Sequence, residues 1–167
     1  MAVTTLVRGR AAAVLAPAAR RTAAARLRLA LRAVRRSRAT VTLVFTDDEE
    51  IRFLNRTYRK HDRATDVLSF HLQTLEGEDD PAAAAAGFNL GDIVISVETA
   101  RRRFPGRRLP RELERLAVHG LCHLFGHDHH RPRQARAMFA LQNRLLRLPA
   151  GTAAAAAATP ASRPARR

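Results

Sequence analysis

The chain has no tryptophan, one tyrosine, one cysteine and, among thirty basic residues, a single lysine, Lys60. The lone thiol, Cys122, excludes an internal disulfide framework and fits a reducing compartment. No apolar run approaches the roughly 18 residues that a membrane-spanning helix needs, and no apolar segment follows the basic start as a secretory signal would require. Acid is absent from residues 1–46, which carry ten arginines.

What is present is positive charge, unevenly spread. The formal net charge is +15, with basic flanks around an acidic middle at residues 47–100. Such a balance points to a polyanionic partner, most simply a nucleic acid, because neutralised phosphates release counterions. Arginine and alanine richness also follows from a GC-rich coding sequence whatever the function, so charge alone does not decide. The acid-free start resembles an organellar transit peptide in composition. The strand and helix read within it are needed to complete the domain, however, and the expected location is a bacterial cytoplasm.

Periodicity divides the 167 residues into one folded unit and a tail. "AVTTLV" near the start reads as a strand; Leu27, Leu31 and Val34 recur at helical spacing within residues 18–36. "ATVTLVFT" at 39–46 is β-branched and strand-like. Thr46 followed by Glu49 makes a capping-box pattern, after which Ile51, Leu54 and Tyr58 form one helical face. "TDVLSFHL" and "LGDIVISV" read as two buried strands, separated by an acidic and then alanine-rich insertion at 76–87 that loops over the surface. A helix runs from about Pro110 to a stop at Gly126, and Pro132 opens a last helix carrying Met138, Phe139 and Leu145. The expectation is a single α/β (α+β) domain over residues 1–146, a small mixed sheet packed with helices. Residues 147–167 have no apolar periodicity and are expected to be a disordered tail.

Within "HGLCHLFGHDHH", residues 119–130, His119 and His123 are four apart on the predicted helix, so they share a face and can share one ion. Gly126 lets the chain reverse and return His129 as a third nitrogen ligand, giving a metal site at a helix end. The spacing H-x-x-x-H-x-x-G-x-x-H is that of metzincin proteases with one difference. A zincin needs a glutamate directly after the first histidine as general base, and this chain has Gly120. Three nitrogens leave a coordination position open, the catalytic rather than the structural pattern, with zinc the favoured ion on availability. His127 and His130 adjoin the triad without needing to point at it, and Cys122, between the helical ligands, is read as core.

These residues resemble the YbeY-type endoribonucleases, or rRNA maturation factors. "HGLCHLFGHDH" at 119–129 is similar to the family pattern H-G-x-L-H-L-x-G-Y-D-H, and "LNRTYRKHDRATDVLSFH" at 54–71 to L-N-x-x-Y-R-x-x-D-x-P-T-D-V-L-S-F-P. "LGDIVIS" at 90–96 and "MFALQ" at 138–142 match further stretches, so the likeness spans residues 39–146. It implies a single-strand-specific, metal-dependent endoribonuclease acting on single-stranded RNA in ribosomal RNA maturation, at the small-subunit 3′ end, and in ribosome quality control. It also implies His119, His123 and His129 as metal ligands and Arg59 as the family's important arginine. A guanidinium at Arg59 can hold phosphate oxygens in two places; its bland alternative is a surface salt bridge with Asp62.

Ala64 and His71 stand where the family has prolines, Cys122 where it has leucine and His127 where it has tyrosine. None of these removes a ligand. Two other readings compete: a metalloprotease-like hydrolase, weakened by the missing glutamate, and a noncatalytic RNA-binding ribosome-assembly factor with a structural metal, weakened by the open coordination position.

Overall fold

In the computed structural model, residues 2–36, 38–72, 89–105, 108–129 and 131–149 are described. They form four strands, β1 (Ala2–Val7), β2 (Thr40–Thr46), β3 (Val67–His71) and β4 (Asn89–Ser96). Six helices accompany them: α1 (Ala11–Val14), α2 (Pro17–Ala33), α3 (Asp48–Arg59), α4 (Val97–Arg103), α5 (Leu109–Leu124) and α6 (Pro132–Leu146). The strand order is β1-β2-β4-β3, with β1, β2 and β4 parallel and β3 antiparallel to β4. The mixed sheet packed with helices is the α/β (α+β) architecture expected from the pattern.

Alternation along the strands assigns the two faces of the sheet. Val41, Leu43 and Phe45 of β2 and Ile93 and Ile95 of β4 enter the main core with Leu27 and Leu31 of α2 and Leu113, Leu116 and Leu121 of α5. Val44 and Val94 turn to the other face, where Leu68 of β3 lies beside Val94 and Ile51 of α3 packs with them. Cys122 is fully buried in the main core, as read from sequence, and burial pushes its thiol up to about 12. It is a packing residue rather than a nucleophile.

Several local readings are adjusted. The cap of α3 is Asp47, one residue later than the Thr46 pattern: its Oδ1 accepts from the amides of Glu49 and Glu50, both at 3.1 Å. The Thr46 hydroxyl donates instead to the Glu50 carboxylate. Aspartate wins because its carboxylate accepts two amides at once and complements the positive end of the helix. Tyr58, placed on the buried face by periodicity, is 62% exposed at the end of α3, with its ring edge-on to Phe70. The helix read over 18–36 stops at Ala33, with Val34 as its cap. Helix α4, absent from the sequence reading, starts directly from β4 with the Ser96 hydroxyl accepting from the Thr99 amide at 3.1 Å. The insertion at 76–87 and all of the tail beyond residue 149 lie outside the described residues.

Candidate metal centre

Helix α5 ends in a left-handed glycine. Gly126 has φ +76°, its amide donates to the His123 carbonyl at 2.9 Å, and the His127 amide donates to the Cys122 carbonyl at 3.1 Å. These two bonds make a Schellman stop, which a residue without Cβ adopts at least cost. The reversal sends the chain back so that His129 faces the last turns of α5. Ligand atoms of His119, His123 and His129 lie within 4.8 Å of one another, and the three rings stand 4.9 to 5.5 Å apart between centroids. This cluster can hold a metal ion.

The neighbours prepare the imidazoles for that use. His119 Nδ1 lies 2.9 Å from Oε1 of Gln142, a residue of α6 that is only 6% exposed. An amide oxygen can only accept, so Nδ1 carries the proton and Nε2 keeps its lone pair for an ion. Burial, reinforced by the imidazoles of His119 and His129, lowers His123 to about 4. Burial is also the main cause that lowers His119, with His129 and Arg115 adding to it against the opposing pull of Gln142 and Asp66. Both rings are therefore neutral at pH 7, the form that binds metal. Asp128 accepts the His129 amide at 2.6 Å and stands 3.5 Å from its Nδ1, so it is occupied by the turn it helps to build.

Gly120 has a steric explanation. A Cβ there would meet Cγ2 of Ile93 at 2.6 Å and Oγ of Ser69 at 3.0 Å. Position 120 faces the sheet, where α5 comes close to β3 and β4. Two polar contacts tie β3 to the same helix. The Ser69 hydroxyl donates to the Gly120 carbonyl at 3.2 Å, and His71 Nε2 lies 2.8 Å from the His123 carbonyl, to which only an N–H can donate. His71, which replaces a proline of the family pattern, thus secures the end of the histidine-bearing helix.

Arg59, at the end of α3 on the opposite face of the sheet, reaches this strand from the other side. Its Nη2 donates to the Ser69 carbonyl at 3.0 Å. The salt bridge to Asp62 considered from sequence is not formed: Arg52 takes that carboxylate in a two-point pair at 2.8 and 3.0 Å. Arg59 pairs with no carboxylate among the described residues. It does not touch the histidines directly; β3 stands between them, held by Arg59 on one side and by α5 on the other. His127 does not join the triad and lines a separate cavity of about 570 Å³ with Phe125 and Arg144. His130 lies outside the described residues. Gln142 and His71 are the positions whose contacts sequence reasoning missed; the only signal was that Gln142 fell within a matching stretch.

Known proteins resemble this chain over most of its length. The family model described as Endoribonuclease YbeY matches residues 12–148. An Endoribonuclease YbeY of Myxococcus xanthus is 49% identical over 108 residues, which is 64% of this chain and 35% of that protein. One of Anaeromyxobacter dehalogenans is 46% identical over 65% of this chain and 53% of its own length. One of Moorella thermoacetica is 50% identical over 65% of this chain and 71% of its own. The match therefore spans between about a third and about a half of the first two relatives. Among solved structures, a Thermotoga maritima protein determined in solution superposes with a TM-score of 0.55 at 25% identity, over 87% of each chain. A family match over most of the sequence, on the fold and around the histidine cluster just described, places this chain in the endoribonuclease YbeY family.

Proposed function

We propose that this chain is a metal-dependent endoribonuclease that cuts single-stranded RNA, with His119, His123 and His129 holding one zinc ion and Arg59 acting on the substrate phosphate. The observation that carries this reading is the cluster of three imidazoles beside β3, whose Ser69 carbonyl Arg59 holds from α3 while pairing with no carboxylate among the described residues. Three nitrogens with an open position are a catalytic zinc set. A bound ion would supply Lewis acidity, polarising a phosphoryl oxygen and lowering the pKa of a water. Arg59, anchored by one nitrogen to the Ser69 carbonyl, retains further N–H donors for phosphate oxygens.

Single-strand preference has its own support. Tyr58 at 62%, Phe53 at 55% and Phe139 at 44% exposure are aromatic faces open to solvent, with Phe139 6.4 Å from His129 between ring centroids. Bases can stack on such faces once they are splayed from a duplex. The relatives' printed name supplies the endoribonuclease chemistry. Ribosomal RNA maturation in a bacterial cytoplasm extends that reading, in keeping with the +15 charge and with no described helix being long and apolar enough to cross a membrane.

Water, rather than the RNA 2′-hydroxyl, is proposed as the nucleophile: Gly120 supplies no general base, and a water held by the ion would need none because the metal lowers its pKa toward neutrality. Elemental analysis of purified protein, paired with cleavage assays on single- and double-stranded RNA, tests the whole reading. One equivalent of zinc and single-strand cleavage are expected; metal-free protein that cuts RNA fully would refute it. A substrate with one 2′-deoxy residue at the scissile linkage should still be cut. Complete resistance, with a 2′,3′-cyclic phosphate on the normal product, would reverse the choice of nucleophile.

A further inference from the structure

The stripe of α5 that ends in His119 and His123 does not begin there. Four and then three residues earlier it holds Arg115 and Glu112, and the cap residue Arg108 stands four before that, so a line of side chains runs from the head of the helix to the histidines. Arg115, one turn before His119, is firmly placed. Its Nε and Nη2 donate to Glu112 Oε1 at 2.8 and 2.5 Å, and its guanidinium lies 4.8 Å from the Phe104 ring centroid.

Alongside this line, where α5 meets α2 and the end of α6, lies a cavity of about 810 Å³ walled by Arg26, Arg108, Arg111 and Arg115 with Glu112 and Glu114. Two of the four arginines are answered within it: Arg26 donates to Glu114 at 2.8 Å, and Arg115 to Glu112. Arg108 and Arg111 are exposed and pair with no carboxylate among the described residues. A concave wall with guanidiniums in excess concentrates positive potential where a polyanion can lie. Its far end, at Arg108, is about 16 Å along the helix axis from His119, a few nucleotides of extended strand.

We infer that this cleft holds backbone phosphates of the RNA on one side of the cleaved linkage, with Arg115 at its entrance and Arg108 and Arg111 binding the phosphates. The inference rests on the nuclease reading above and adds a direction to it: the strand crosses the histidines and continues along α5 toward its N-terminus. Phosphate contacts of this kind position a strand without reading its bases.

The test uses the full zinc-loaded chain. A short labelled single-stranded RNA around the cleavage site is compared with versions extended by about six nucleotides on the 5′ or the 3′ side, within the usual reach of single-strand sites. The parent should gain from extension on one side only. Arg108→Glu/Arg111→Glu should erase that gain, raising KM for the extended RNA about tenfold while kcat and the short substrate stay as in the parent. Losing two phosphate contacts should also flatten the slope of log affinity against log salt by about 1.4. Arg108→Gln/Arg111→Gln should fall between the two. Equal gains on both sides, no gain in the parent, or a double variant that keeps the full gain at the parent's melting temperature would overturn the inference. Fluorescence anisotropy with the same RNAs reads the cleft without cleavage, so a parent that binds but does not cut counts against the nuclease reading alone.

Discussion

Replacing Gln142 with leucine should weaken metal binding without unfolding the protein. The substitution keeps size and helix propensity but removes the oxygen that stands 2.9 Å from His119 Nδ1. Two costs follow. The N–H is left without its acceptor in a half-buried setting, worth about 1–3 kcal/mol, and the ring is no longer fixed with Nε2 toward the ion. Loss of such an outer partner typically lowers metal affinity about 10- to 100-fold, which is about 1.4–2.7 kcal/mol. Each kcal/mol lost from the metal-free fold should lower Tm by about 2–4 °C for a chain of this size. Zinc affinity would be measured at pH 7 by competition with a chromophoric chelator, beside calorimetric melts with and without zinc. Gln142→Glu is the control: a carboxylate accepts the same N–H more strongly and raises the basicity of the ligand, so zinc affinity should equal or exceed the parent's. A folded Gln142→Leu protein that binds zinc as tightly as the parent would refute the positioning argument.

Other outcomes follow from the same geometry. His129→Ala should lose most bound metal by elemental analysis while His127→Ala keeps it; full metal content in His129→Ala would remove that residue from the ligand set. Arg59→Glu should nearly abolish RNA cleavage with metal content and Tm close to the parent, and Arg59→Lys should be poorly tolerated because a point charge does not reproduce the planar fork; normal cleavage by Arg59→Ala would show the role to be wrong. Gly120→Ala should destabilise despite the better helix propensity of alanine, since displacing the buried Ile93 methyl costs about 1–3 kcal/mol against a gain of about 1; a raised Tm would contradict the close approach. The metal-free protein should lose stability as pH falls from about 6.5 toward 4. In that window the unfolded chain protonates His123 while the folded one, at about 4, does not, so protons favour unfolding. A melting temperature flat across that range would contradict the burial argument.

The histidine triad was legible because its geometry is local: a four-residue step on one helix and a glycine stop determine where three rings go. Partners of long surface side chains were not legible. Asp62 is nearer in sequence to Arg59, yet Arg52 holds it, since flexible guanidiniums choose among several carboxylates by a few tenths of a kcal/mol. Gln142 had no signature beyond its place in a matching stretch, because a glutamine on a helix reads as surface until another helix is laid against it. Helix α4 escaped because β4 passes into it without a loop, leaving Ser96 and Glu98 as its only start signals. Nor did the pattern order the strands: placing β4 between β2 and β3 is decided by which faces must be covered, a property of the assembled sheet.

The three proposed ligands come from one short stretch of chain, whereas Arg59 arrives from a distant helix by way of β3. A loop of about ten residues closes in about 10–100 ns, and the Schellman stop of α5 needs no sheet. The antiparallel pairing of β3 with β4 and the docking of α3 are non-local steps that come at greater entropic cost. Gathering the imidazoles and bringing Arg59 up to β3 therefore depend on contacts of different range. On the proposed reading, α5 and its reversal would gather the three rings first, and the phosphate-binding arginine would join them only once β3 had paired with β4.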